Sequence, residues 1–167
     1  MIVIIANIVD FIAAGIMVGS GAIRQKKKIL VVQNVQLLLQ AISMLMLGGI
    51  TGAISNVLSC FRNYLGYREK LNCAWKVVLI GASVAMTILL NEQGLLGVIP
   101  AAVSTVFILF MDVKDPVKFK LLVTLTVIPW VFYHCALQAY VGMACDIATV
   151  VTNGITLRIM IKERDKG

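Results

Sequence analysis

The sequence predicts an all-α integral membrane protein of seven transmembrane helices, arranged as two parallel triple-helix bundles joined by a linker helix. Three observations predict it. The chain is 60% hydrophobic and 14% charged over 167 residues, with a mean hydropathy of +0.94, whereas soluble domains run nearer half apolar and a quarter charged. Its basic residues fall in short blocks between apolar runs, as cytoplasmic loops of membrane proteins do. A pattern of rare polar residues recurs at a shift of 90 positions.

Helix 1 is expected over about Ile2 to Ala22, apolar except for Asn7 and Asp10. It has no basic leader or small-residue cleavage site and carries Asp10 inside, so it reads as a retained span rather than a signal peptide. Its Gly15 and Gly19 form a GxxxG, a signal for close helix approach. Arg24 to Lys28 is a basic loop. Helix 2 follows over about Ile29 to Leu47; Gln33, Asn34, Gln36, Gln40 and Ser43 suggest that neighbours shield it. A glycine-rich turn at 48–52 leads into helix 3, which runs to about Tyr67.

Arg68 to Lys70 makes the next basic loop, and helix 4 spans about Asn72 to Leu90. A turn containing Glu92 leads to helix 5, about Leu95 to Met111. Pro100 lies inside that range, where a proline frees a carbonyl and often kinks a span. The charged loop 112–120 precedes helix 6, about Leu121 to Leu137, which holds Pro129. Helix 7 covers about Tyr140 to Ile161, before a solvated tail. A span needs about 20 apolar residues, or as few as roughly 17, so seven short spans use the whole chain as a single transmembrane domain.

Sliding the sequence by 90 positions lays Gly52 over Gly142, Asn56 over Asp146, Ser59 over Thr149, Asn63 over Asn153 and Arg68 over Arg158. Offsets of three, four and seven share one helix face, so helices 3 and 7 each carry a small, polar stripe. Such stripes in apolar spans turn toward a protein interior or cavity. Helix 4 has no counterpart. The plan is repeat 1 (about 1–68), a linker helix (about 72–90) and repeat 2 (about 91–158). The odd number of helices between equivalent spans makes the repeats parallel.

Charge tests this plan independently. With the N-terminus outside and the C-terminus cytoplasmic, all 15 Lys and Arg lie in the loops 24–28, 68–70 and 112–120, the tail, or adjoining helix ends. The turns near Gly49, Glu92 and Gln138 carry none. The net charge of +7 therefore signals topology and not nucleic-acid binding. Lys26, Lys27 and Lys28 could touch anionic lipid as well. Arg62, one turn before the end of helix 3, is expected to snorkel to the interface.

The runs Gly52-Ala-Ile-Ser-Asn-Val-Leu-Ser-Cys-Phe-Arg-Asn63, Ile128-Pro-Trp-Val-Phe-Tyr-His134, Ala139-Tyr-Val-Gly142 and Asn153-Gly-Ile-Thr-Leu-Arg158 resemble the bacterial inner-membrane YgjV family. The layout is similar to the PQ-loop, SWEET-type and PnuC-type transporters, built from two parallel triple-helix bundles around a central site. The Pro-Gln pair of the PQ-loop proteins is missing here, since Ala101 follows Pro100. The resemblance implies an inner-membrane location and a transport-like architecture but no substrate. In sugar facilitators of that group, asparagines on the third helix of each bundle line the pocket. The matching residues here are Asn56 and Asp146, or Asn63 and Asn153.

Each candidate has a plainer reading. Asp146 could bond a solute or carry a proton, since an ionisable group inside a span costs about 2.5–3.5 kcal/mol on insertion scales; the plainer alternative is a wet carboxylate near a helix end. Asp10, deeper in its span, could relay protons or sit protonated as a packing group. The three asparagines can donate and accept at once, or act as interhelical glue. Trp130, Tyr133 and His134 share a face of helix 6 and suit an aromatic pocket wall; the plainer alternatives are an interfacial aromatic belt and, for His134, a packing residue. Cys60, Cys73, Cys135 and Cys145 show no metal spacing and read as small buried hydrophobes.

No nucleotide-binding glycine loop, HExxH or GxSxG is present, so neither an enzyme, a metal nor a cofactor is indicated. The expected partners are the lipid bilayer and a small polar solute, with homo-oligomers not required. The first functional reading is a small polar solute transporter or facilitator. The alternative is a non-transporting membrane scaffold or partner subunit, whose stripes would be closed packing contacts.

Overall fold

A computed structural model describes residues 2–47, 50–90, 94–96, 98–136 and 140–165, with the side chains of 50–52, 134, 140 and 141 outside that description. The turns expected near Gly49, Glu92 and Gln138 lie largely outside the described residues. Among the described residues the chain forms seven helices and no strand.

The first is α1 (Ile2–Ser20) and the second α2 (Lys26–Met46). α2 starts three residues before the expected Ile29, because lysine is a good helix former and Lys26 finds acceptors within the fold. α3 (Ile50–Tyr67) closes with Lys70 N–H donating to Leu65 O at 3.0 Å and Glu69 at φ 54°, a left-handed end usually made by glycine. Lys27 pairs with that Glu69 at 3.1 Å. α4 (Cys73–Leu90) is capped by Asn72, whose Oδ1 accepts from Trp75 N–H at 2.9 Å.

α5 (Val98–Phe110) is shorter than expected, its approach taken up by a turn in which Gly94 has φ +58°. Pro100 is then the third residue of the helix. A proline in the first turn removes no intrahelical hydrogen bond, so the expected kink is not needed there. α6 (Pro116–Ala136) starts five residues early. Asp115 Oδ1 accepts from Val117 N–H at 2.8 Å and Lys118 N–H at 3.3 Å, and proline follows it at the first helical position, a strong start signal. Pro129 lies inside α6. α7 (Tyr140–Arg164) runs three residues past Ile161.

Among the described residues, five helices are long and apolar enough to cross a membrane: α1, α2, α4, α6 and α7. α5 has 13 residues, about 20 Å of rise against a hydrocarbon core of about 30 Å. α3 carries Ser55, Asn56, Ser59, Arg62 and Asn63, which lower its hydropathy. Large apolar side chains cover the outside, Leu89 at 79% exposure and Phe132 at 67% among them. A surface of that kind is matched to lipid rather than water.

α2 packs against α1 and α3, and α6 against α5 and α7; α4 lies against α3 and α5, while α1 meets α7 and α2 touches α6. Helix bounds recur 90 residues apart: α1 and α5 end at Ser20 and Phe110, α2 and α6 cover 26–46 and 116–136, and α3 and α7 begin at Ile50 and Tyr140. The apolar core lies toward one end of the molecule, where Ile29, Leu30, Leu65, Leu79, Phe107, Met111, Phe119 and Leu122 pack together.

That end also collects the basic loops. Arg24 pairs with Glu163 at 2.7 Å, Lys76 with Asp112 at 2.9 Å and Arg164 with Asp115 at 3.9 Å. Two lysines cross between helices there. Lys120 of α6, fully buried, donates to Ser20 O at 3.3 Å and Ile23 O at 2.9 Å past the end of α1. Lys26 of α2 donates to Met111 O and Val113 O past the end of α5. Ammonium groups at helix C-termini satisfy orphan carbonyls and oppose the dipole.

The expected GxxxG contact is not made: a Cβ at Gly15 or Gly19 would meet nothing within 4 Å. Close approach occurs instead at Gly21, where a Cβ would fall 2.0 Å from Thr152 Oγ1. At Gly66 it would fall 2.7 Å from the Met111 side-chain tip.

Candidate functional site

α3 and α7 place the two polar stripes. Asn63 is 0% exposed and Asn153 1% exposed, and the interleaved Thr149 and Asp146 are at 2% and 3%. Asp146 is thus buried rather than wet, although it lies in the second turn of α7. Thr149 bonds its own helix, donating to Cys145 O at 2.8 Å. Asn56 is only half-buried and rests its Nδ2 on Met44 Sδ at 3.6 Å. Of the two candidate pairs, Asn63 and Asn153 are alike in full burial, whereas Asn56 and Asp146 differ.

The amide valences of that pair are incompletely used. Asn63 Oδ1 accepts from Arg62 Nε at 3.2 Å and Nη2 at 3.1 Å, but its Nδ2 has no protein partner. Among the described residues neither Nδ2 nor Oδ1 of Asn153 has one. A buried polar atom without a partner costs about 1–3 kcal/mol, and most buried polar atoms in folded proteins avoid that state. Gln33 Oε1 and Asn34 Oδ1 on α2 are in the same condition.

Arg62 does not snorkel. Its guanidinium lies 4.5 Å from the centre of the Phe107 ring on α5, and Nη1 reaches Ser104 Oγ at 3.4 Å. The contact with Asn63 and the aromatic face turns the charge inward. Sequence reasoning missed this because its partners lie some 40 residues downstream and their residue types are common in spans. Lys26 and Lys120 were missed likewise, being read as loop charges.

The remaining candidates are placed less centrally. Asp10 lies on an exposed part of α1. Its helix packs against α7, which carries Asp146. Trp130 and Tyr133 form an edge-to-face pair with centroids 5.4 Å apart, each half-buried. His134 falls within α6, but its side chain lies outside the described residues. Cys60 is half-buried, within 3.7 Å of Asn34 O; Cys73 and Cys135 are exposed. Among the described residues no three His, Cys, Asp or Glu side chains converge as a metal site would require. A surface depression of about 480 Å³, lined by Arg24, Asp115, Glu163 and Arg164 among others, opens at the basic-loop end. Its acids and bases already pair with one another, and none of the predicted site residues lines it.

The profile of a bacterial inner membrane protein family, Imp-YgjV, matches residues 4–164. The chain belongs to that family. No curated protein and no solved structure matches it. Membership fixes a bacterial inner-membrane location for the Imp-YgjV chain and agrees with its lipid-matched surface.

Proposed function

We propose that this Imp-YgjV protein carries a small polar solute across the inner membrane, as a transporter or facilitator without enzymatic activity. The site lies between two parallel three-helix repeats, α1–α3 and α5–α7, with α4 as linker. The observation that carries the reading is the Asn63 and Asn153 pair. These residues stand 90 positions apart, are both fully buried, and keep amide atoms that no protein group satisfies. A hydroxyl- or amide-bearing solute would supply the missing partners. The recurring helix bounds, and the lysine of each repeat's second helix on the end of the other's first, support the repeat.

The test is solute entry into proteoliposomes, followed as swelling in isosmotic sugars, polyols, amino acids and nucleosides. The wild type is expected to swell the vesicles faster than empty liposomes with at least one class, and an Asn63→Leu, Asn153→Leu double variant to lose that excess. Swelling that persists in the double variant removes the site from these residues. No excess with any class puts the scaffold reading in its place. The basic-loop end faces the cytoplasm in this reading, so a C-terminal alkaline phosphatase fusion is expected to be inactive; an active one reverses the orientation.

A further inference from the structure

The cluster around Arg62 carries more than a structural cation requires. A charge inside a span needs a partner, yet among the described residues no carboxylate pairs with Arg62. Its contacts are a neutral amide oxygen, a serine hydroxyl and the Phe107 ring. A guanidinium has five N–H donors. Nε and Nη2 each give one to Asn63 Oδ1, and Nη1 gives one to Ser104 Oγ, which leaves two. Because Asn63 turns its oxygen to the arginine, its free end is Nδ2, another donor pair buried without a partner. Every open valence on these two side chains is therefore a donor, next to a full positive charge. One turn on from Arg62, Gly66 is packed by the fully buried Met111.

We propose that Arg62 and Asn63 receive an anionic oxygen group, a carboxylate or a phosphate. Forked donors on a fixed cation match such groups in geometry and charge. This rests on the solute-site reading above and gives it a substrate class: a small polar molecule with one acidic end. The counterpart positions in the second repeat support that polarity, because Thr152 stands 90 residues after Arg62 and spends its hydroxyl on Ala148 O and Thr149 O. The acid end belongs at α3 and the neutral end at Asn153.

The test is thermal unfolding of the purified full chain in detergent at constant ionic strength. It is titrated with inorganic phosphate, acetate, glucose 6-phosphate and glucose, and separately with phosphatidylglycerol or phosphatidylcholine mixed into the micelles. Soluble anions are expected to stabilise the wild type where glucose does not, and Arg62→Gln to weaken their apparent Kd at least about tenfold. Arg62→Lys should keep part of the effect. Asn63→Asp gives the arginine an internal carboxylate, so it is expected to fold, melt higher than wild type and lose anion binding. That variant keeps the test decisive if Arg62→Gln does not fold. Stabilisation by phosphatidylglycerol alone assigns the same anion site to a lipid headgroup. Equal stabilisation by glucose and by anions, unchanged in Arg62→Gln and Asn63→Asp, overturns the anion site and leaves the solute site standing. Anion binding lost in Arg62→Gln but untouched in Asn153→Leu keeps the anion site and removes the shared solute path. No stabilisation of the wild type by any of the probes overturns both.

Discussion

α3 and α7 begin 90 residues apart, and each buries an asparagine at the corresponding position. Asn63 has its oxygen held by Arg62; among the described residues nothing partners either amide atom of Asn153. The same division recurs where these helices meet the ends of α1 and α5. Gly21 receives Thr152, while Met111, 90 residues on, fills the space over Gly66. Equivalent positions thus do complementary work: one side carries charge and bulk, the other is small and neutral. In the proposed repeat, two asparagines satisfied differently would suit a ligand with two unlike ends, which strict symmetry would not favour.

The largest expected effect breaks the cross-links between the two halves. Lys120 is buried at the end of α1, and Lys120→Glu would put a carboxylate against two carbonyl oxygens and the negative end of a helix dipole. Uncompensated buried charge costs about 3–5 kcal/mol, enough that the variant is expected to lose its monodisperse peak in detergent. Lys26→Glu is milder, because Lys26 is only half-buried and lies over the Phe119 ring at 5.1 Å. Equal losses would mean that burial does not distinguish the two lysines.

Next come the close contacts. Gly21→Ala would meet the stiff, branched Thr152 side chain and Val18 O at 2.9 Å. Overpacking of this kind costs about 1–3 kcal/mol, and Thr152→Ser should not rescue it because the hydroxyl remains, whereas Thr152→Ala should in part. Gly66→Ala meets the flexible tip of Met111 and is expected near the lower limit, with Met111→Ala as a costly rescue because Met111 is fully buried. Melting temperatures of these variants decide it; Gly66→Ala falling below Gly21→Ala would invert the comparison.

The asparagines give opposite signs. Asn153→Leu keeps the branched side-chain skeleton, removes two unsatisfied atoms and is expected to raise stability in the absence of solute by about 1 kcal/mol, whereas Asn63→Leu strips Arg62 of its acceptor and lowers it by about 1–3 kcal/mol. Sites kept for function commonly sit off the stability optimum. Chemical denaturation in detergent reads both, and a loss in Asn153→Leu would show that its amide is satisfied in solution.

How far the sequence reaches follows from where each interaction partner lies. The helices were legible because apolar runs and basic punctuation are local. The burial of Asn63, Asn153 and Asp146 followed from rare polar residues on one face. The roles of Lys26, Lys120 and Arg62 were not legible, because their acceptors are backbone carbonyls, a serine and a ring brought near only by tertiary packing. The early start of α6 was written locally in Asp115-Pro116 but masked by the charged run after it. Gly15 and Gly19 illustrate the converse: a motif whose spacing suits contact, on a face where the described residues of this chain make no close approach.

The smallest effect concerns the caps of α2 and α6. Asp115 caps α6 through its side chain, and the Lys118 and Val117 N–H groups hold its carboxyl below the usual aspartate range. At the same position before α2 stands Gln25, which makes no side-chain cap. Hydrogen bonding from Lys27 depresses Glu69, and from Lys76 depresses Asp112. A group with a folded pKa below its unfolded value contributes stability above the unfolded pKa, about 4 for these side chains, and loses that contribution as pH falls through the folded value. The basic-loop end should therefore loosen below about pH 4. Asp115→Asn, which can still cap, should flatten the part of that acid dependence that belongs to α6. Gln25→Asp should add about 0.5 kcal/mol at neutral pH and an acid dependence that the wild-type α2 lacks. An Asp115→Asn protein with unchanged acid melting would move the loss to Glu69 and Asp112, and the two halves would then differ in their ion pairs rather than in their helix caps.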